Sequence, residues 1–293
     1  AELWPLVEWC VEYCRRQLTA DGVVASDTDE LEGRFPTGDA NLCTSTLYYD
    51  ALLSAVSLGR ELGVESAQTA RYAAQARALA RAIDAHFGGE VGGYDTYRYY
   101  AGNTLLRSWI CMPLIVGLKE RSEGTVRALL GPELMTDDGL LTQQGSSTFW
   151  DRSTLYALRG IYNVGQADRA TELLHRYSQR RLLGDHVPYP IEAWPEGSQR
   201  HLSAESGLYC RIITEGLFGI RPTGLRSFDL TPSMPAAWES MSLRHIRAFG
   251  SDFDITVARV ADGRLRITVA RPGAKPKIYR AAPGATIRVK LTD

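Results

Sequence analysis

An excess of charge of one sign is missing from this sequence. Lys and Arg number 33 against 34 Asp and Glu, a formal net charge of −1. Nothing in that balance invites a nucleic-acid partner or an anionic membrane. Basic pairs such as Arg15-Arg16 and Arg180-Arg181 never lengthen into a run. Long apolar stretches are missing too, and none approaches the ~20 residues of a membrane-spanning helix. Cysteine is sparse and odd in number: Cys10, Cys14, Cys43, Cys111 and Cys210. That favours a reduced, cytoplasmic setting over a disulfide framework. Cys10 and Cys14 stand four apart beside Trp9 and Tyr13 with no accompanying His or second Cys pair, which reads as packing rather than metal binding. No metal-ligand cluster, phosphate-cradling G-x-x-x-x-G-K-[ST] loop or G-x-S-x-G nucleophile turn occurs. Neither a metal nor a cofactor is therefore expected. The chain opens on Ala1 and enters a helical pattern at once, so a piece of a longer or processed protein is expected.

What is present is ordinary globular material, 44% hydrophobic and 23% charged over 293 residues, enough for one large domain with a small one. Apolar residues recur at helical spacing in Leu6, Trp9, Cys10, Tyr13 and Cys14. They recur again in Leu47, Ala51, Ala55, Leu58 and Leu62, and in Tyr72, Ala76, Leu79, Ile83 and Phe87. A strongly apolar segment over 105–118 holds Pro113, where a break or kink is expected. Further helices are predicted around 126–130, 155–162, 167–177 and 204–218, the second and third joined by the tight link Asn163-Val164-Gly165. From Ser227 onward the period changes to two: Phe253, Ile255, Val257; Leu265, Ile267, Val269; Ile287, Val289, Leu291. Asp262-Gly263 marks a hairpin turn. The order is thus helical hairpins over 1–222, then an antiparallel β region over 223–293. If the hairpins stack in a ring, the long links emerge at one end and gather residues 26–39, 92–100, 143–152 and 186–205.

Two of those links carry a resemblance. The stretch Leu31-Glu32-Gly33-Arg34-Phe35-Pro36-Thr37-Gly38-Asp39-Ala40 is similar to the D-E-R-x-x-W-x-G-D-A pattern of bacterial α-L-rhamnosidases, with Leu31, Gly33 and Pro36 as departures. Ile191-Glu192-Ala193-Trp194 is similar to their W-E-x-W loop, with Ile191 for the first Trp. Leu47 to Leu52, Ser206-Gly207-Leu208-Tyr209 and Gly219-Ile220-Arg221-Pro222 agree in order. The chain therefore resembles the six-hairpin glycosidases, whose fold is mainly α: an (α/α)6 toroid of helical hairpins with C-terminal β strands. Seven or eight helical segments are visible here, fewer than a closed toroid has, so the resemblance implies the C-terminal part with an N-terminal part missing.

The resemblance implies a carbohydrate substrate and inverting hydrolysis by two carboxyl groups, an acid and a base flanking a water. Glu192 takes the base position. Glu196 is the reserve, or a turn former. Counting back from Asp39 selects Glu32 as the acid, with Glu30 and Asp29 as neighbours that can share the role; the alternative is a solvated acidic loop. Sugar contacts are expected from Asp39, from Trp150, Trp194, Tyr97 and Tyr99 by ring stacking, and from Asp151, Arg152, Arg34 and Arg98 by hydrogen bonds. Loop aromatics also serve as lids over a core, and Arg34 with Asp39 can be a structural pair. His186 and His201 read as structural. Rival readings are a polysaccharide lyase using Tyr94 to Tyr100, an epimerase, a phosphorylase using Arg200 and His201, and a non-catalytic carbohydrate-binding fragment.

Overall fold

The protein is described here from a computed structural model covering residues 2–29, 35–183, 189–191, 193–194 and 203–291; the side chains of 193, 194 and 203 are not described. Among these residues the chain forms eight α-helices and small antiparallel sheets. Helix α1 (Trp4–Arg16) starts on Pro5, whose missing N–H is no loss in a first turn. Its buried side differs from the predicted one. Val11 is buried and Val7 and Cys14 are half-buried, and the Tyr48 hydroxyl donates to the Val11 carbonyl at 3.2 Å. Leu6, Trp9, Cys10 and Tyr13 are exposed, Trp9 stacking on Tyr13 at 5.5 Å. Both faces of α1 are apolar, and the Val7–Val11–Cys14 row is the one that meets its neighbour.

Helices α2 (Leu42–Glu61) and α3 (Ser66–Phe87) form the predicted hairpin. Asn41 caps α2 by accepting from the Thr44 amide at 2.8 Å. Tyr72, Ala76, Leu79, Ile83 and Phe87 are the buried stripe of α3. The next segment departs from a simple turn. Strands β1 (Gly88–Val91) and β2 (Tyr94–Tyr97) make a hairpin, and its two turn residues, Gly92 and Gly93, have φ of 59° and 82°, as a tight hairpin turn of this hand requires. Pro113 limits the apolar segment as predicted: a 3₁₀ turn (Ser108–Cys111) leads into a single α turn, α4 (Met112–Ile115).

Helix α5 (Ser122–Leu129) packs on β2. Strands β3 (Met135–Thr136), β4 (Gly139–Leu140) and β5 (Phe149–Trp150) lead into α6 (Asp151–Asn163), and α7 (Ala167–Tyr177) returns beside it. A π-helical turn (Ser178–Leu182) follows. Strand β6 (Ala193–Trp194) precedes α8 (Ser203–Arg211), which runs into a second π-helical turn, Ile212–Leu217. Along the chain the helix pairs α2–α4, α4–α6 and α6 with this last turn are in contact. None of the described helices is long and apolar enough to cross a membrane.

The remainder is β. Strands β7 (Ile220–Gly224), β8 (Ser227–Leu230), β9 (Ser240–Ala248), β10 (Ser251–Arg259), β11 (Leu265–Ala270), β12 (Lys277–Ala281) and β13 (Ile287–Lys290) form two antiparallel sheets, ordered β13-β8-β7 and β12-β11-β10-β9. The period-two residues behave as predicted. Phe253, Ile255 and Val257 are buried, as are Leu265, Ile267 and Val269 on the paired strand. Gly263 sits in the β10–β11 turn with φ 77°. Phe228 stacks on Phe249 and Phe253 at 5.0 and 5.6 Å, joining the two sheets.

Candidate active site

Four links are knitted into one series of contacts. Asp29 accepts from the Tyr99 hydroxyl at 2.6 Å, joining the first link to the second. Asn41 bridges to Tyr100 beside it. Arg107 extends the series: its Nη2 donates to the Pro36 carbonyl at 2.7 Å and its Nε to Gln143 Oε1 at 3.0 Å. Leu141 bridges to Phe149, and Phe149 and Trp150 pair with Trp194 and Ala193. Thus described residues of the first link (Asp29, Pro36), the second (Tyr99, Tyr100), the third (Gln143, Phe149, Trp150) and the fourth (Ala193, Trp194) are joined in one series, in part through Arg107.

Two of the buried charges, Arg107 and Asp151, organise this region. Arg107 is 1% exposed and lies over the rings of Tyr99, Phe35 and Tyr100 at 4.8, 5.3 and 5.5 Å. Cation–π contact and two charge-assisted hydrogen bonds offset its desolvation, although burial still pulls its pKa down. The other is Asp151, 1% exposed in the first turn of α6, where the helix dipole favours a carboxylate. It pairs with buried Arg181 at 3.2 Å and accepts the Ile191 amide at 2.7 Å. Arg181 also donates to the Asp138 carbonyl at 3.0 Å. Burial, with the Asp151 charge second, pushes the hydroxyl of Tyr177 up, so it stays protonated. Burial likewise dominates at Tyr99, so Tyr99 acts as a donor to Asp29.

The candidate residues divide sharply. Glu192, Glu196, Glu30, Glu32 and Arg34, with His186, Arg200 and His201, lie outside the described residues, as does the Trp194 side chain. Asp29 is half-buried and hydrogen-bonded to Tyr99; Asp39 is exposed beside the same link. Three expected stacking rings are core residues instead: Tyr97 is 1%, Tyr99 0% and Trp150 2% exposed. Trp150 stands edge-on to Trp109 at 6.5 Å. A ring closed over on both faces has none to offer a sugar, and these rings serve as the floor under the links. Arg98 donates to the Gly88 carbonyl at 3.0 Å, closing the base of the β1–β2 hairpin. Arg152 lies over Trp150 at 5.7 Å and donates to Glu205 Oε1 at 2.7 Å, where Glu205 is fully buried.

Sequence reasoning missed Arg107, Arg181 and Glu205. The signal for Arg107 was a lone cation inside an apolar segment, which demands buried partners. Arg181 lies four residues after Tyr177 and continues its buried face.

A cleft of about 820 Å³ lies elsewhere, lined by residues including Asp50, Arg159, Arg211, Glu215 and Arg221. Arg159 is eight residues, about 12 Å, along α6 from Asp151. Five of the charges lining this cleft pair with one another: Arg159 and Arg211 share Glu215 at 2.8 and 2.5 Å, and Arg221 meets Asp50 at 2.6 Å. We read this network as a brace between the helices and strand β7.

No protein-family model and no curated protein matches the sequence. Solved structures do match in shape. A GH78 family rhamnosidase of Bacillus sp. GL1 superimposes with a TM-score of 0.58 at 14% identity, over 96% of this chain and 30% of that one. The α-L-rhamnosidase of Streptomyces avermitilis, solved with L-rhamnose, gives 0.49 at 13% identity over 99% and 30%. The neutral trehalase of Saccharomyces cerevisiae gives 0.49 at 16% identity over 64% and 40%. The fold is therefore like that of part of the Bacillus rhamnosidase, and the chain spans 30–40% of the length of the structures matched.

Proposed function

We propose that this chain is the C-terminal part of an inverting glycoside hydrolase of α-L-rhamnosidase type, built on a partial (α/α)6 toroid over 1–222 with a β domain over 223–293. The observation that supports the reading is the series of contacts joining the four links, in a chain whose fold matches a rhamnosidase at a TM-score of 0.58. Glu192 is the general base, activating water, with Glu196 in reserve. Glu32 is the acid that protonates the leaving oxygen, Glu30 and Asp29 sharing its link. Asp39, Arg34 and Trp194 contact the sugar. The exposed apolar face of α1 (Leu3, Leu6, Trp9, Tyr13) is the surface against which preceding helices of the same polypeptide pack, since contiguous exposed apolar residues mark a contact site.

The test is a screen of aryl glycosides, the α-L-rhamnoside included, against the full-length protein, followed by Glu192→Gln and Glu32→Gln. Loss of the base or acid removes about 10²–10⁴-fold of the rate. Full activity in Glu192→Gln overturns the base assignment. An acid-to-base carboxyl separation far outside the roughly 6.5–9.5 Å of inverting enzymes overturns the mechanism.

A further inference from the structure

We infer that Asp151 and Arg152 are positioning residues that clip the loop bearing Glu192, not groups that touch the sugar. This rests on the reading of Glu192 as the base. Four consecutive residues of the chain hold that loop on both sides. Asp151 accepts the amide of Ile191, the residue immediately before Glu192, at 2.7 Å. Trp150 and Phe149 pair with Ala193 and Trp194, the two residues immediately after it. Arg152 reaches Glu205 at 2.7 Å, in the first turn of α8 where the loop ends.

Asp151 is closed off from a substrate, and Arg152, 18% exposed, is engaged by a buried carboxylate. Asp151 and its partner Arg181 are 1% and 2% exposed, and Glu205 is 0% exposed. The chain is therefore held at residue 191 by a side chain and at residues 193 and 194 by strand pairing. A general base needs that restraint, because a displacement of about 1 Å costs on the order of 10²-fold in rate. The Ile191 amide also points at a carboxylate rather than at a neutral acceptor, which makes this the stronger kind of hydrogen bond.

The experiment uses the full-length protein and whichever glycoside it turns over. Asp151→Ala removes the acceptor and the charge. Asp151→Asn keeps an acceptor and so restores part of the effect. Arg152→Met tests the other side of the clip, where the side chain is 18% exposed and the cation removed is the partner of buried Glu205. The expected result is a kcat about 10²-fold lower in Asp151→Ala, a smaller loss in Asp151→Asn and about tenfold in Arg152→Met, with KM within about threefold in each. Hydrogen exchange at the Ile191 amide rises at least tenfold in Asp151→Ala. A KM rise with kcat intact means that these residues bind sugar and overturns the inference. So does an unchanged kcat per folded molecule with only a lowered Tm, which means a plain structural brace. If Asp151→Ala does not fold, the KM-against-kcat split in the other two variants decides. Full activity in Glu192→Gln removes the base and with it the catalytic purpose of the clip, while the exchange rate at Ile191 still reports whether the anchor exists.

Discussion

Replacing glycine by alanine in the middle of this fold has opposite consequences at two helical positions. Gly124 lies in the first turn of α5, against β2. A Cβ there falls 1.9 Å from the Asp95 carbonyl oxygen, where ordinary contact begins near 3.4 Å. The helix must retreat by about 1.5 Å, the difference between those two distances. Next to it, Thr125 and Thr96 are both fully buried and share a 2.8 Å hydroxyl hydrogen bond, which such a movement breaks. Overpacking costs about 1–3 kcal/mol, and leaving a buried hydroxyl unsatisfied costs about 1–3 kcal/mol more. Alanine returns at most about 1 kcal/mol of helix propensity. Gly124→Ala should therefore destabilise the protein by about 3 kcal/mol. At about 2 °C per kcal/mol for a chain of this length, Tm falls by about 6 °C. Gly207 in α8 is the control: it is exposed, and a Cβ built there meets nothing within 4 Å. Gly207→Ala should raise Tm by up to about 2 °C through propensity alone. Thermal melts followed by circular dichroism read both. A Gly124→Ala protein as stable as the parent, or a shift of the same sign in both variants, refutes the close approach of α5 to β2.

Two further perturbations test the buried charges and phenols. Arg181→Met breaks the ion pair with Asp151 inside the protein, and removing one partner of a buried pair costs about 3–5 kcal/mol; a urea-unfolding difference below about 1 kcal/mol contradicts the pairing. Alkaline pH should unfold the chain. Tyr48 is 3% exposed and burial pushes its pKa from 10.0 up to about 12. A raised folded-state pKa gives stability that is whole below pH 10 and disappears as pH rises toward 12. For Tyr48 alone that is about 3 kcal/mol at 1.36 kcal/mol per unit, with Tyr97, Tyr99 and Tyr177 raised in the same direction. A urea midpoint at pH 11.5 equal to that at pH 8 refutes it.

Much of the scaffold was legible because its signals are periodic. The stripe from Tyr72 to Phe87, the 163–165 link, the alternation of Phe253, Ile255 and Val257 and the Asp262-Gly263 turn all follow from which side chains must leave water. The face of α1 was not legible, because Leu6–Trp9–Tyr13 and Val7–Val11–Cys14 are both apolar rows, and only the neighbouring helix chooses between them. The aromatic links failed for a related reason. A tyrosine in an open loop and a tyrosine at a buried position share the same local sequence, and the contacts that bury Tyr99 include ones from beyond its own link, Asp29 and Arg107. Arg107, Arg181 and Glu205 were not singled out, since a cation or carboxylate is seldom buried unless something remote compensates it.

That last failure bears on why these charges are where they are. A buried ion pair is an expensive way to fill space, and well-packed apolar side chains of similar volume often stabilise a fold as well or better. Apolar packing at 151 and 181 would hold the links together, but it would not choose among backbone registers for residues 189–194, because dispersion contacts are nearly indifferent to a shift along the strand. A carboxylate accepting one amide at 2.7 Å does choose, and the two-residue pairing of β5 with β6 repeats the choice two residues further on. Arg107 performs the corresponding task for the acidic link by taking the Pro36 carbonyl and Gln143 in one planar fork. The cost of burying Arg107, Asp151, Arg181 and Glu205 is thus concentrated where the chain has least regular structure of its own. There, directional bonds from rigid elements fix the backbone at Pro36 and Ile191.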